Sequence, residues 1–519
     1  MTIKSQFIYL KKDCIDFIKD ARLKLTFWST LICGLITYIY LITNNIYNHD
    51  GIYLNPTGYG FGLGVGRWLL EILGSFSTKL QIDYYIPVYK IGLGLVFIVI
   101  ASLYLVRLLD IKNKYLCACV GPILAVFPSI VGAMLHGFTA HYYMLGLLFA
   151  VSSVYYASRK GWLCTIISIS LLLMSLGIYQ AYLPVATSLL VIICIKNCLD
   201  NKNYKEILFM GIKCILILIA SYIGYLICLN ICLKVTGIAI YPSQGVEKMG
   251  VIQFDTILNQ LISCYSELLN LPFINLLGVS STIIIRACYL ITYILIFIMS
   301  IIFIINAFVK KKNLGSAFIY ILLLFIFPIV ALFINIMINS NTNKHTLMLS
   351  GIMSVFYLLI ILAEWVFQNI KSKLTLVLSV LVLFCTIANF SFQANGNYTR
   401  LHYLNKHVEF YYSNLISRVI SSDNYSRDLE IILVGSTLND SNIIDSWDPE
   451  IFNNMGSTMG INIYSKNNII LNILGYKTRT ISIDSDEYKL YEDTISKLST
   501  YPLDNSIEVV GDVVLVRLE

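Results

Sequence analysis

Eleven apolar runs recur along this chain, near 25–43, 88–108, 116–135, 139–157, 162–178, 180–198, 207–233, 279–308, 315–338, 346–367 and 374–391. A helix of about 20 apolar residues covers the ~30 Å hydrocarbon core of a bilayer. Inside that core every backbone N–H and C=O must find a partner within the protein, which restricts the chain to helices or a closed barrel. Runs of this length are too long for barrel strands. The expected fold is therefore a polytopic α-helical membrane protein of about 11 transmembrane helices. With 57% of 519 residues hydrophobic and 13% charged, a soluble globule would lack a polar surface, and no nucleic-acid partner is expected.

Basic residues gather at every second junction between runs: Arg107, Lys112 and Lys114; Arg159 and Lys160; Lys196, Lys202 and Lys205; Lys310 to Lys312; Lys371 and Lys373. Together with the N-terminal segment and Lys213 they place 20 Lys and Arg on one side. The other side of residues 1–391 holds seven. Short basic loops stay cytoplasmic, so the N-terminus is expected inside the cell. Residues 1–24 are mixed in charge with no small-residue cleavage site behind them. They are expected to form a cytoplasmic amphipathic segment leading into a retained span. Cysteines run from Cys14 to Cys385 without zinc spacing; packing explains them, and neither a disulfide framework nor a metal site is indicated.

Residues 25–391 are expected to form the membrane domain, with long outer loops at 44–87 and 234–278 and a short one at 339–345. An odd span count places 392–519 outside. That tail carries 10 Lys and Arg against 17 Asp and Glu. It begins with helical periodicity in "YTRLHYLNKHVEFYYSNLISRVI" and continues with strand-like "LEIILVGS", "NNIILNIL" and "IEVVGDVVLVRL", which predicts a small α/β extracytoplasmic domain. Since the inner loops are short, chemistry is expected on the outer face.

Several polar residues on that face admit two readings each. Asp50, beside His49, is either an ordinary loop acid or an acid held at headgroup depth. The second follows if the stripe Trp68, Leu69, Leu70, Ile72, Leu73 and Phe76 lays the loop flat in the interface. Gly60, Gly62, Gly64 and Gly66 alternate rather than forming GxGxxG, so close backbone approach or a hinge is the better reading than a nucleotide site. Arg67 is a phosphate-sized fork or a snorkelling arginine. His136 and His141 line a sugar site or are interfacial, and five-residue spacing without a third ligand argues against a metal. Tyr179 and Tyr182 read as belt aromatics. Gln180 should face protein or a cavity, because an unpaired amide is costly near hydrocarbon. Arg286, read as a turn or two inside its span, snorkels outward or meets an anionic headgroup. Gln244, Glu247 and Lys248 read as solvated.

The stretches "NHDG", "GRWLLEIL", "HGFTAHYYMLGLLFAVSSVYY" and "SLGIYQAYLP" resemble the GtrII-like O-antigen glucosyltransferases, over roughly residues 30–190. The resemblance implies a GT-C type glycosyltransferase that takes glucose from a polyprenyl phosphate, such as an undecaprenyl-phosphate-glucose-like lipid. The acceptor is a surface polysaccharide or glycolipid at the outer face of the inner or plasma membrane. It makes Asp50, in the first outer loop, the catalytic carboxylate. The neighbour of Asp50 is His49 rather than a second acid; Asp83 is the other acid of that loop. Arg67, His49, Trp68, His136, His141, Tyr179, Gln180 and Arg286 become candidates for the donor phosphate and the substrate, with Lys90, Lys248 and Lys344 as further cations. No cofactor is required. A flippase and a polyprenyl-phosphate glucosyltransferase encoded nearby are the implied companions. Rival readings are a transporter of lipid-linked saccharides, a polymerase or ligase, and a glycan-binding tail on an anchor.

Overall fold

The structure is a computed structural model that describes residues 3–46, 48, 62–80, 86–241, 256–274, 276–277, 282–309, 314–338, 344–435 and 467–518. Helix α1 (Ile3–Lys19) precedes α2 (Ala21–Thr43); α3 (Trp68–Lys79) lies in the first long loop. Then follow α4 (Pro87–Leu109), α5 (Lys114–Val126), α6 (Pro128–Leu135), α7 (Ala140–Ala157), α8 (Trp162–Ile178), α9 (Leu183–Leu199) and α10 (Tyr204–Thr236). Helix α11 (Ile257–Leu269) lies in the second long loop. The bundle closes with α12 (Ile283–Val309), α13 (Leu314–Ala331), the one-turn α14 (Ile334–Met337), α15 (Ser354–Ile370) and α16 (Lys373–Ile420).

Every apolar run thus falls on helix. Among the described residues, eight helices are long and apolar enough to cross a membrane, or nine when α5 and α6, bent by 44° where Pro128 follows Phe127, count as one span. Proline removes an N–H and cannot continue the helical ladder, which explains the break. The runs at 139–157 and 162–178 form the shorter α7 and α8, of 18 and 17 residues.

Burial sorts the helices by neighbour. The spans that end in α9 and α15 are 83% and 94% buried and form the bundle centre. The span on α10 is only 28% buried although apolar throughout. Its exposed Leu208, Phe209, Ile212, Ile215, Leu216 and Ile219 would be untenable in water and suit lipid tails. Multi-pass membrane architecture follows.

Helix starts at the basic end carry the expected side-chain caps. Asp20 accepts from Arg22 N (3.0 Å), Asn113 from Tyr115 N (3.0 Å), Asn203 from Lys205 N (3.1 Å) and Ser372 from Thr375 N (3.4 Å). Asp20 also joins an ion network that fastens α1 to the bundle. Arg22 bridges Asp20 and Asp110, and Arg107 bridges Asp13 and Asp20, while Tyr155 Oη donates to Asp13 at 2.7 Å. One acid was not anticipated: Glu364, buried in α15, accepts from the backbone N–H groups of Lys112 (3.1 Å) and Asn113 (3.1 Å). It anchors the loop between α4 and α5.

The boundary expected at 391/392 falls inside α16, one continuous helix of 48 residues. At about 1.5 Å per residue it is ~70 Å long, far more than a bilayer needs. Its C-terminal half carries the four-stranded sheet β1 (Glu430–Val434), β2 (Thr478–Ile481), β3 (Ile507–Val510) and β4 (Val513–Arg517), in the order β2-β1-β4-β3. Strand β1 pairs parallel with both neighbours, and β3 pairs antiparallel with β4. Ile431, Leu433, Val514 and Val516 join the large core shared with α16; Ile432, Val434 and Leu515 face Ile495 of α17 (Asp486–Ile495). This is the period-2 alternation of a strand covered on both faces. Two expectations need correction. "NNIILNIL" is no strand: residues Ile469–Leu474 form a π-helical turn ended by Gly475 at φ 79°. Short apolar runs fit helix and strand equally well, and burial of Ile469 and Ile470 against the sheet decided this one. "IEVVGDVVLVRL" is a hairpin, turning at Gly511.

Two measurements check this account. Glu364→Ala should cost about 1–3 kcal/mol, seen as a lower Tm of the solubilised protein, because two buried N–H groups lose their acceptor. The guanidinium of Arg22 holds the Asp20 carboxyl down to about 2, against an ordinary 3.8. A depressed pKa stabilises the fold above the ordinary value, and that contribution is lost as pH falls from about 4 towards 2. Asp20→Asn should flatten the Tm profile in that window and leave its neutral-to-basic part parallel to wild type.

Candidate functional site

The described part of the first long loop folds back on itself before α3 begins. Gly62 N and Leu63 N donate to Glu71 Oε2 at 2.8 and 3.3 Å, and Arg67 N donates to Gly62 O at 2.8 Å. Gly66 closes the turn at φ 78°, where a side chain would be strained. At Gly64 a Cβ would collide with the Tyr241 ring, and the backbone N–H of Tyr241 donates to Gly64 O at 2.8 Å. Close backbone approach, one of the two roles expected for these glycines, is what Gly64 provides.

The loop is pinned to the bundle by two further contacts. Gln180 Nε2 donates to Val65 O (3.0 Å) and Tyr225 Oη (3.1 Å), and Tyr225 Oη donates in turn to Gly66 O (2.9 Å). Gln180 thus faces protein and spends its amide protons on the loop. Trp68 lies on Gly177, where a Cβ would come within 2.6 Å of the indole. With Leu63, Leu176, Leu183, Tyr225 and Leu229 it forms a small apolar cluster apart from the main core. Trp68 and Leu70 face inward, whereas Ile72 and Phe76 are exposed. Helix α3 therefore has one apolar edge against the bundle and another free for lipid.

This docking places Arg67 beside two aromatic rings that pack on each other. Its Nη1 donates to Tyr143 Oη at 3.0 Å, and its guanidinium carbon stands 5.0 Å from the Tyr179 ring centroid and 5.9 Å from that of Tyr143. Cation–π contact and a hydroxyl hold the fork half-buried in a fixed orientation. Tyr143 and Tyr179 lie 5.0 Å apart, and Tyr182 is 5.3 Å from Tyr179. Both Tyr179 and Tyr182 are buried, which corrects the reading of them as belt aromatics: the tight turn between α8 and α9 directs them inward.

His136 joins the same cluster, with its ring 6.3 Å from Tyr143. Its Nδ1 lies 2.9 Å from Gly132 O. A carbonyl only accepts, so Nδ1 carries a proton. His141 belongs to the adjoining seam between α3 and α7. It stacks on Tyr142 at 3.9 Å, and Tyr142 Oη donates to Leu73 O at 3.0 Å and meets Ser77 Oγ. Lys90, buried on the first turn of α4, donates to Phe138 O at 3.3 Å and so closes the turn that holds both histidines.

Four polar atoms are buried here without a hydrogen-bond partner among the described residues: Tyr179 Oη, Tyr182 Oη, Trp68 Nε1 and His141 Nδ1. Buried polar groups are nearly always satisfied, and sites of chemistry are where exceptions gather. A fork suited to phosphate beside such hydroxyls can bind the oxygens of a sugar phosphate.

Other candidates lie elsewhere. Arg286 is exposed on the first turn of α12, not deeper in the span, and α12 packs against α13, α15 and α16 rather than against the Arg67 loop. Lys344 pairs with Glu267 and donates to Asn335 Oδ1 at 3.2 Å, so its charge is offset locally. His49, Asp50, Gly60, Asp83, Gln244, Glu247 and Lys248 lie outside the described residues. At the edges of that gap, Ile46 and Asn48 are buried and Gly62 is bonded to Glu71. No three His, Cys, Asp or Glu side chains come together as a metal site among the described residues. Sequence reasoning missed Glu71, Tyr225 and Tyr143 as the groups that orient this site. Glu71, a lone acid in an apolar stripe, carried a legible signal; the two tyrosines looked like ordinary span aromatics.

A family model described as Glucosyl transferase GtrII matches residues 39–356, a stretch containing every candidate residue above. No curated protein and no solved structure matches the chain.

Gly177→Val should force the Trp68 ring away and loosen α3, at a cost of about 1–3 kcal/mol. Proteolysis within 62–80 should accelerate in detergent; an unchanged cleavage rate would show that this contact does not hold the loop.

Proposed function

The chain belongs to the glucosyl transferase GtrII family and is a glycosyltransferase; from that premise we propose that it moves glucose from a polyprenyl-phosphate carrier to a surface polysaccharide or glycolipid. The donor resembles undecaprenyl-phosphate-glucose. In this reading the chain crosses the inner or plasma membrane eleven times, with its N-terminus cytoplasmic and its α/β tail outside. A sugar made inside the cell reaches the outer face only on a lipid, so its phosphate waits at headgroup depth.

The supporting observation is the Arg67 cluster: a guanidinium held against the Tyr143 and Tyr179 rings, beside buried Tyr179 and Tyr182 hydroxyls that bond no described protein group. Arg67 offsets the charge growing on the departing phosphate. The hydroxyls offer sugar oxygens directional partners. Phosphate leaves readily without a general acid, and what remains is to take the acceptor hydroxyl's proton as its oxygen attacks the anomeric carbon. Asp50 is assigned that general-base role. Support for it is positional: Asn48, two residues earlier, is buried. Attack opposite the phosphate inverts the anomeric centre.

Asp50→Asn should abolish transfer of labelled glucose from lipid carrier in membrane vesicles, with expression and Tm kept. Wild-type turnover by this variant would remove Asp50 from the mechanism. Arg67→Ala should lower turnover about 100-fold, the scale of losing one charge-stabilising donor.

A further inference from the structure

A second concave site lies at the opposite, basic ends of the helices. It is a cavity of about 1130 Å³ walled by the end of α4, the turn between α7 and α8, the turn between α9 and α10, and the first turns of α2 and α10. Eight cations line it against three acids, Asp110, Asp200 and Glu206. Arg22, Arg107 and Arg159 are clamped by Asp13, Asp20 and Asp110, and Lys196 pairs with Asp200 at 2.7 Å. Lys213 Nζ donates to Ala157 O (2.7 Å) and Arg159 O (2.8 Å) and so brings its charge to the end of α7. Lys160 and Lys205 are exposed and form no ion pair among the described residues. After internal pairing the cavity keeps a clear positive excess.

The wall is not polar throughout. Trp162 of α8 and Phe209 of α10 line the cavity and are 48% and 71% exposed. Beyond them Ile166, Leu208 and Ile212 continue the apolar surface along the same two helices. A soluble anion gains nothing from such a wall, whereas an anionic lipid matches both parts: phosphate among the lysines, acyl chains along α8 and α10. Basic pockets between membrane helices suit that chemistry. We propose that this cavity binds the phosphate headgroup of an anionic membrane lipid, at a site separate from the Arg67 cluster and independent of the glucosyl-transfer reading.

The test uses the full-length protein in detergent, with phosphatidylglycerol, phosphatidylcholine or inorganic phosphate as probe and native mass spectrometry plus Tm as readouts. Wild type should retain phosphatidylglycerol and gain thermal stability from it, and should do neither with phosphatidylcholine. Lys160→Gln/Lys205→Gln should weaken phosphatidylglycerol binding about tenfold or more, since each cation at a headgroup contributes about a kcal/mol. Its lipid-free Tm should match wild type, because neither lysine holds the fold, and Lys160→Arg/Lys205→Arg should restore binding. Undiminished phosphatidylglycerol binding by the Gln variant would overturn the proposal. So would equal retention of phosphatidylcholine, or stabilisation by inorganic phosphate equal to that by the lipid, which would make the ligand a soluble anion.

Discussion

Hydrocarbon offers no hydrogen bonds, so backbone groups freed where a helix stops or bends need partners within the protein, and in this bundle several of those partners are side chains distant in sequence. Glu364 accepts two N–H groups of the loop between α4 and α5 across about 250 residues of sequence. Trp365 Nε1 donates to Leu199 O at 3.0 Å, where α9 ends, and Ser350 Oγ to Ala181 O at 3.2 Å, where it is about to begin. Lys90 serves Phe138 O, and Gln180 with Tyr225 serves Val65 and Gly66. Several polar residues of the interior are therefore structural partners of broken backbone.

That requirement also shapes the Arg67 cluster. The turn at 62–67 sits against α8 and α10 only because its carbonyls are taken up by Gln180 and Tyr225 and its N–H groups by Glu71. Once seated, it delivers Arg67 to the Tyr143 and Tyr179 rings. The site is thus a by-product of satisfying a buried turn. Its polarity lies at one end of the bundle, while the basic cavity lies at the other, where Asp20, Arg22, Arg107 and Asp13 tie α1 to the helix ends.

Much of the architecture could be read from residue order. The eleven runs became helices because apolar length and backbone satisfaction leave little choice, and the caps at Asn113 and Asn203 sit where basic junctions predicted helix starts. The family resemblance rested on stretches that the family match now covers. Directions of side chains were less legible. Tyr179 and Tyr182 have the composition of belt aromatics yet point inward. The π-helical turn at 469–474 escaped because a short apolar run has no distinguishing period.

Hydropathy and charge, which act through solvent and need no partner, determined from sequence alone that this chain is a multi-pass membrane protein with a basic side and an acidic tail. Which polar residues meet was decided only in three dimensions. Glu71, Tyr143, Gln180 and Tyr225 are spread over some 150 residues, and a hydrogen bond depends on ångström-scale placement that no local pattern encodes. Arg67 acquired its orientation from those contacts, and tertiary packing alone made a surface arginine into the centre of a site.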